Sequence, residues 1–147
     1  MRRAVLSLPA VLLLAGCAAA RAAVPADTPP TPPPPTVLVA DTDTQGRVLT
    51  DDHGDVLYHF DGDQGGSIGC VDACTATRHP LLHDPAVPLQ LPVGIAGTLG
   101  LVTRPEGGEQ VSYDGEPLYT FTGDQPGDTN GVTLSWHVVN PPNRVNG

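Results

Sequence analysis

The 147 residues carry seven basic residues, all arginine, against sixteen Asp plus Glu, a formal charge of −9 at pH 7. So acidic a chain excludes attachment to nucleic acid or to an anionic lipid surface by charge. The length accommodates one domain plus extras, and 17 Pro with 17 Gly punctuate it too densely for long helices.

Arg2 and Arg3 open the chain, Ala4 to Leu14 is apolar apart from Ser7 and Pro9, and Leu14-Ala15-Gly16-Cys17 follows. A positive start, a short apolar stretch and small residues are the three parts of a secretory signal. The Leu-Ala-Gly-Cys run resembles the bacterial lipobox, where a thiol is nucleophilic enough to take a diacylglyceryl thioether before cleavage. The expectation is a lipoprotein signal peptide over 1–16 and a lipidated Cys17, since two or more acyl chains anchor stably where one holds weakly. The alternatives are a plain cleaved signal and an uncleaved membrane helix: Ala4 to Ala20 is marginal for a span, and Arg21 closes it. Arg2-Arg3 lacks the rest of a twin-arginine motif, which favours the general export route. Loss of residues 1–16 leaves five arginines against sixteen carboxylates, a formal −11.

Residues 17–36 read as a linker. From Pro25 to Thr36 the run Pro-Ala-Asp-Thr-Pro-Pro-Thr-Pro-Pro-Pro-Pro-Thr has few backbone donors, which favours extended polyproline geometry or a disordered tail. Either way it is a spacer and carries no chemistry.

Residues 37–143 form the expected folded domain, with 144–147 a tail. Candidate strands are Val37 to Val39, Arg47 to Thr50, Val56 to Phe60, Thr98 to Thr103, Gln110 to Tyr113, Pro117 to Phe121 and Val132 to Val139. A short helical turn is expected near Asp72 to Thr77. No stretch holds a helical period for three turns, so the fold class is mainly β.

Two segments repeat, within units of about 44–82 and 98–141. Gly46 to Gly65 reads GRVLTDDHGDVLYHFDGDQG and Glu109 to Gly127 reads EQVSYDGEPLYTFTGDQPG. Each is strand, turn, strand, then Gly-Asp-Gln. The second turn is built on Asp114-Gly115, a pair that tolerates positive φ at both corners of a two-residue hairpin; the first, at Asp52-His53-Gly54, is about a residue longer. Both second strands carry Leu-Tyr-x-Phe-x-x-Asp. Alternation puts Tyr58 and Phe60 on one face with Leu57 and His59 on the other, and likewise Tyr119 and Phe121 against Leu118 and Thr120. The expectation is an antiparallel β fold from two related hairpin repeats with Gly/Pro-rich loops. The aromatic pairs form matching parts of one core, and Asp63 and Asp124 accept backbone N–H groups to fix the exit of each strand.

This pattern resembles the bacterial "secreted repeat of unknown function" family, lipoproteins marked by Tyr-x-aromatic-x-x-Asp. The likeness spans about residues 44–141. It rests on Tyr58-x-Phe60-x-x-Asp63, Tyr119-x-Phe121-x-x-Asp124, Cys70-x3-Cys74, the Pro-Gly-Asp-Thr-Asn-Gly run, and Trp136 with Val138-Val139. Such proteins also carry a lipobox and a Pro-rich spacer. The resemblance implies no established enzymatic activity; envelope electron transfer or stress roles are its only lead. One departure stands out: where the family has Trp-Pro-Pro after the cysteine pair, this chain has Arg78-His79-Pro80.

Cys70-x3-Cys74 reads most simply as a disulfide in an oxidising compartment, since a turning loop brings the Cα atoms into bonding range. With His79 and His83, the same cysteines have the ligand types of a zinc or copper site; a redox-active disulfide is the middle case. Asp61, Asp63 and Asp72, and likewise Asp124, Asp128 and Asn130, offer hard oxygen ligands for calcium. The terminal Glu and flanking helices of an EF-hand are not evident, and Asp and Gly at hairpin exits form turns. No Gly-x-Ser-x-Gly or His-Glu-x-x-His occurs, and Ser67, Ser112 and Ser135 stand in turn or strand contexts. Neither Gly94-x2-Gly97 nor Gly107-Gly108 precedes a helix, so no phosphate cradle is expected. Tyr58, Phe60, Tyr119 and Phe121 read as core, with a ligand groove as the alternative.

The resulting expectation is an extracytoplasmic, membrane-anchored envelope lipoprotein, a structural or interaction module with no catalytic residues, no cofactor and no metal. Its partners would be the membrane through Cys17 and an envelope protein. The alternative is an extracytoplasmic redox or metal-handling accessory protein.

Overall fold

The computed structural model describes residues 35–142. The signal, Cys17 and most of the Pro-rich run lie outside those residues. Strands β1 (Leu38–Thr42) and β2 (Gly46–Thr50) form an antiparallel hairpin, followed by β3 (Tyr58–Phe60), a 3-10 turn (Asp72–Ala76) and β4 (Arg78–Pro80). The second half holds β5 (Leu99–Thr103), β6 (Glu109–Tyr113), β7 (Glu116–Pro117), β8 (Tyr119–Phe121) and β9 (Trp136–Val138). The fold is mainly β and its strand pairs are antiparallel, as the repeat pattern implies.

The strand order of the four-stranded sheet is β4-β8-β3-β9. The two motif strands meet at its centre, Tyr58 opposite Tyr119. Each repeat's last strand then pairs with the motif strand of the other repeat. β9 lies against β3, with Phe60 opposite Trp136, and β4 lies against β8, with Phe121 opposite Arg78. The repeats therefore exchange strands about a pseudo-twofold axis.

The backbone repeats this exchange in two closed triangles. Leu49 N–H donates to Val139 O at 2.9 Å, Val139 to Leu57 at 3.0 Å, and Leu57 back to Leu49 at 2.9 Å. In the other half Val111 donates to Leu81 at 2.8 Å, Leu81 to Leu118 at 2.9 Å, and Leu118 to Val111 at 3.0 Å. In each triangle two residues come from one repeat and the third from the other. Such pairing satisfies backbone groups that burial would otherwise leave costly.

Strand alternation distributes the side chains over two cores. Leu57 and Leu118 join Val37, Leu49, Val111, Tyr113 and Val139 in one. Tyr58 and Tyr119 join Val48, Val56, Cys70, Trp136 and Val138 in the other, with Phe60 and Phe121 packed against it. Asp114 (φ 50) and Gly115 (φ 91) both take positive φ, the corner geometry their sequence implies.

Several local expectations change, and the strand expected over Val56 to Phe60 keeps only Tyr58–Phe60, with Val56 in an isolated bridge to Thr50. β4 was not anticipated: Arg-His-Pro has no apolar alternation, and Pro80 is tolerated because β4 is an edge strand. The strand expected over Val132 to Val139 shrinks to Trp136–Val138, because the residues before it bond locally. Val132 N–H donates to Thr129 O, and Ser135 N–H to Thr133 Oγ1; such bonds compete with a ladder. The strand expected over Pro117 to Phe121 divides at Leu118, which carries the chain from β7's sheet to β8's. At the other end Thr36, placed in the linker, donates its N–H to Gln90 O at 3.1 Å and its hydroxyl to Pro88 O at 2.8 Å.

Candidate functional site: the crossed motif and the outer histidines

The two Tyr-x-Phe-x-x-Asp copies bond to each other, not to themselves. Tyr58 Oη donates to Asp124 Oδ2 at 2.5 Å, and Tyr119 Oη donates to Asp63 Oδ2 at 2.7 Å. The second oxygen of each carboxylate holds its own loop: Asp63 Oδ1 accepts Gly69 N–H at 2.5 Å and Asp124 Oδ1 accepts Asn130 N–H at 2.8 Å. This is the strand-exit role expected of the two aspartates, with a cross-repeat bond added. Both tyrosines are fully buried. Burial first, and then the partner carboxylate, push each phenol above its ordinary pKa, so both remain protonated donors.

The rings around this pair are stacked. Phe60 lies on Trp136 with centroids 4.5 Å apart, and Tyr119 meets Trp136 edge-on at 5.1 Å. Arg78 occupies the place opposite Phe121 that Trp136 occupies opposite Phe60. Its guanidinium carbon lies 4.3 Å from the Phe121 centroid and 4.4 Å from that of Trp136. Where the family resemblance implied a lost tryptophan, a planar cation fills the stack. Arg78 Nη2 donates to Gly131 O at 2.7 Å, whereas Nη1 is buried with no hydrogen-bond partner. Burial accordingly lowers the Arg78 pKa from its ordinary value.

The related carbonyl in the first repeat, Cys70 O, is likewise seven residues beyond its motif aspartate. It accepts from Arg104 Nη2 at 2.9 Å. Arg104 also bonds Gln110 Oε1 and pairs with Glu106. Two arginines from unrelated positions thus serve matching carbonyls.

Cys70 and Cys74 form a disulfide with Cα atoms 5.3 Å apart. Their sulfurs are bonded to each other, and the structure does not gather His79 and His83 with them into a ligand set. Asp61, Asp63 and Asp72 are not gathered into one either, while Asn130 donates its N–H to Asp124 Oδ1 and its Nδ2 to Asp128 Oδ2, so that this set is joined by hydrogen bonds that shape the loop. Among the described residues the cluster of three metal-ligating side chains is Asp51, Asp52 and His53. There Asp51 Oδ1 already accepts the N–H groups of His53 and Asp55, each at 2.9 Å, and shapes the first hairpin turn.

The sheet face opposite the rings carries an arrangement not anticipated from sequence. His59 on β3 lies directly opposite His137 on β9, with ring centroids 5.4 Å apart. His59 Nδ1 is 3.0 Å from Glu116 Oε2, and His137 Nε2 is 3.1 Å from Asp61 Oδ2. His59, Asp61 and Glu116 line a cleft of about 790 Å³ with Gln64, Leu101 and Ser112. Alternation placed His59 on this face. His137 could be added only once the β3–β9 register was known.

Among the described residues no helix is long and apolar enough to cross a membrane. No curated protein and no solved structure matches the chain. Residues 39–82 and 100–140 match the family described as a secreted repeat of unknown function. Those two segments contain the strands that the halves exchange, and the chain belongs to the family of the secreted repeat of unknown function.

Proposed function

We propose that the protein is a lipid-anchored lipoprotein of the cell envelope that presents a rigid β scaffold to an envelope protein, and that it is not an enzyme. The observation that carries this reading is the use made of the motif. Both tyrosine hydroxyls and all four carboxylate oxygens are spent on cross-repeat and loop bonds. The residues that mark each repeat hold the two halves together, a structural role that leaves function to the exposed surface. Leu14-Ala15-Gly16-Cys17, the Pro-rich spacer and the family's secreted character support an extracytoplasmic, tethered position.

The test has two parts. Full-length protein should sediment with membranes and carry a diacylglyceryl adduct on Cys17, and Cys17→Ser should release it. Retention of Cys17→Ser in the membrane pellet would mean a helical anchor. Photo-crosslinking residues placed at the exposed Val93 and Leu134 should give one discrete protein adduct in intact envelopes; a diffuse ladder or none argues against a presenting module.

The second reading, a redox or metal-handling protein, is favoured by one observation: the paired histidines of the outer face. Metal content and a visible spectrum of protein taken from its native envelope without chelator separate the two.

A further inference from the structure

His59 and His137 stand as a directly opposed cross-strand pair on β3 and β9. Each ring has one nitrogen against a carboxylate, His59 Nδ1 with Glu116 and His137 Nε2 with Asp61. The other nitrogens, His59 Nε2 and His137 Nδ1, make no hydrogen bond among the described residues. An imidazole backed by a carboxylate on one nitrogen is fixed in orientation, the arrangement that surrounds histidine ligands in metal sites. Two such rings side by side are hard to account for by packing alone, because neither contributes to the cores.

We propose that His59 and His137 form a binding site for a divalent transition-metal ion, copper(II) above all, with Glu116 and Asp61 as positioning residues. Metal-bound imidazole nitrogens lie ~2.0–2.1 Å from the ion, so two of them on one ion are ~3 Å apart. An imidazole centroid lies ~3 Å from an ion bound at one of its nitrogens, so rings whose centroids are 5.4 Å apart are spaced to share one ion between the strands. Imidazole pairs favour copper, zinc and nickel over calcium or magnesium, and copper(II) leads the divalent series at a nitrogen site. The His59 side chain is 26% exposed and that of His137 43%. The ion would therefore keep water in its remaining positions, and the site is an exchangeable one rather than a closed structural one. The formal −11 of the chain without residues 1–16 adds a general attraction for cations.

The pseudo-twofold supplies an internal control. The related pair in the other half is Thr120 opposite His79, so only one half carries the double histidine. The site is independent of the lipid anchor and uses no residue of the crossed motif.

The experiment is a copper(II) titration of metal-free full-length protein in detergent, read by calorimetry and by pulsed electron paramagnetic resonance. The expected result is one strongly bound copper(II) whose spectrum shows two imidazoles. His59→Ala and His137→Gln should each lower affinity at least tenfold and leave one imidazole or none. Glu116→Gln should lower affinity ~10-fold with both imidazoles still coordinated, and His79→Ala should change neither readout. One imidazole in the parent protein's spectrum, or unchanged affinity in both His59→Ala and His137→Gln, would overturn the proposal. The spectrum of the parent decides even where a variant folds poorly.

Discussion

Replacing Tyr58 with phenylalanine removes one oxygen and leaves the ring in its core. That oxygen donates to Asp124 and accepts Gly131 N–H at 3.2 Å. Its loss strips a buried carboxylate of one donor and a buried amide of its acceptor. A hydrogen bond to a charged group contributes ~1.5–3 kcal/mol net, and the orphaned amide adds to the cost, so Tyr58→Phe is expected to destabilise by about 3 kcal/mol. For a folded segment of this size each kcal/mol moves Tm by ~4–8 °C, which puts the drop above about 10 °C. Tyr119→Phe takes the donor from Asp63 Oδ2 and removes an oxygen that faces Arg104 and Gln110, and is expected to cost about 2–3 kcal/mol. Denaturant unfolding of both, in double-mutant cycles, tests the crossing itself. Tyr58→Phe should couple with Asp124→Asn by about 1–2 kcal/mol and couple weakly with Asp63→Asn, the aspartate of its own motif. A Tyr58→Phe protein within ~0.5 kcal/mol of the parent would refute the reasoning, as would coupling to Asp63 in place of Asp124.

Arg78→Lys keeps the charge and loses the planar stack on Phe121 and Trp136 together with the bond to Gly131 O; a cost of ~1–2 kcal/mol in denaturant unfolding is expected. The tyrosines predict an alkaline limit. Tyr58 and Tyr119 hold their protons more tightly folded than unfolded, where the phenol value is 10.0. Their contribution is therefore complete below pH 10 and is lost as pH rises through the raised folded values. Phenolate absorbance should appear together with unfolding above pH 10, and phenolate from Tyr58 or Tyr119 in a folded protein at pH 10 would contradict the burial described.

Much of the local structure was legible because it depends on local rules. Two-residue alternation is enough to put Tyr58 and Phe60 opposite Leu57 and His59, and Asp114-Gly115 is enough for its turn. The spacing of Cys70 and Cys74 allows the bond they form, although with His79 and His83 the same spacing also allowed a metal site. What resisted was pairing between the repeats. Each motif contains a tyrosine and an aspartate, so composition is the same whether Tyr58 meets Asp63 or Asp124, and only the register of β3 against β8 decides. A second long-range register, that of β3 against β9, brings His137 to His59, seventy-eight positions distant in the chain. Arg78 read as a missing tryptophan because an aromatic site in sequence is a residue type, whereas in the fold it is a flat space between Phe121 and Trp136 that a guanidinium also fills.

The exchange of strands also governs how the chain reaches this fold. The bonds that lock the halves join residues far apart in sequence: 66 positions for Tyr58 to Asp124, 56 for Tyr119 to Asp63 and 73 for Gly131 to Tyr58. Such contacts yield nothing until long loops have closed, so folding is expected to be slow and all-or-none. A half-synthesised or half-exported chain has its first motif strand without either neighbour, because both β8 and β9 lie in the second half. The first motif strand is therefore expected to find its place only when the second repeat arrives, although the β1–β2 hairpin can pair before then.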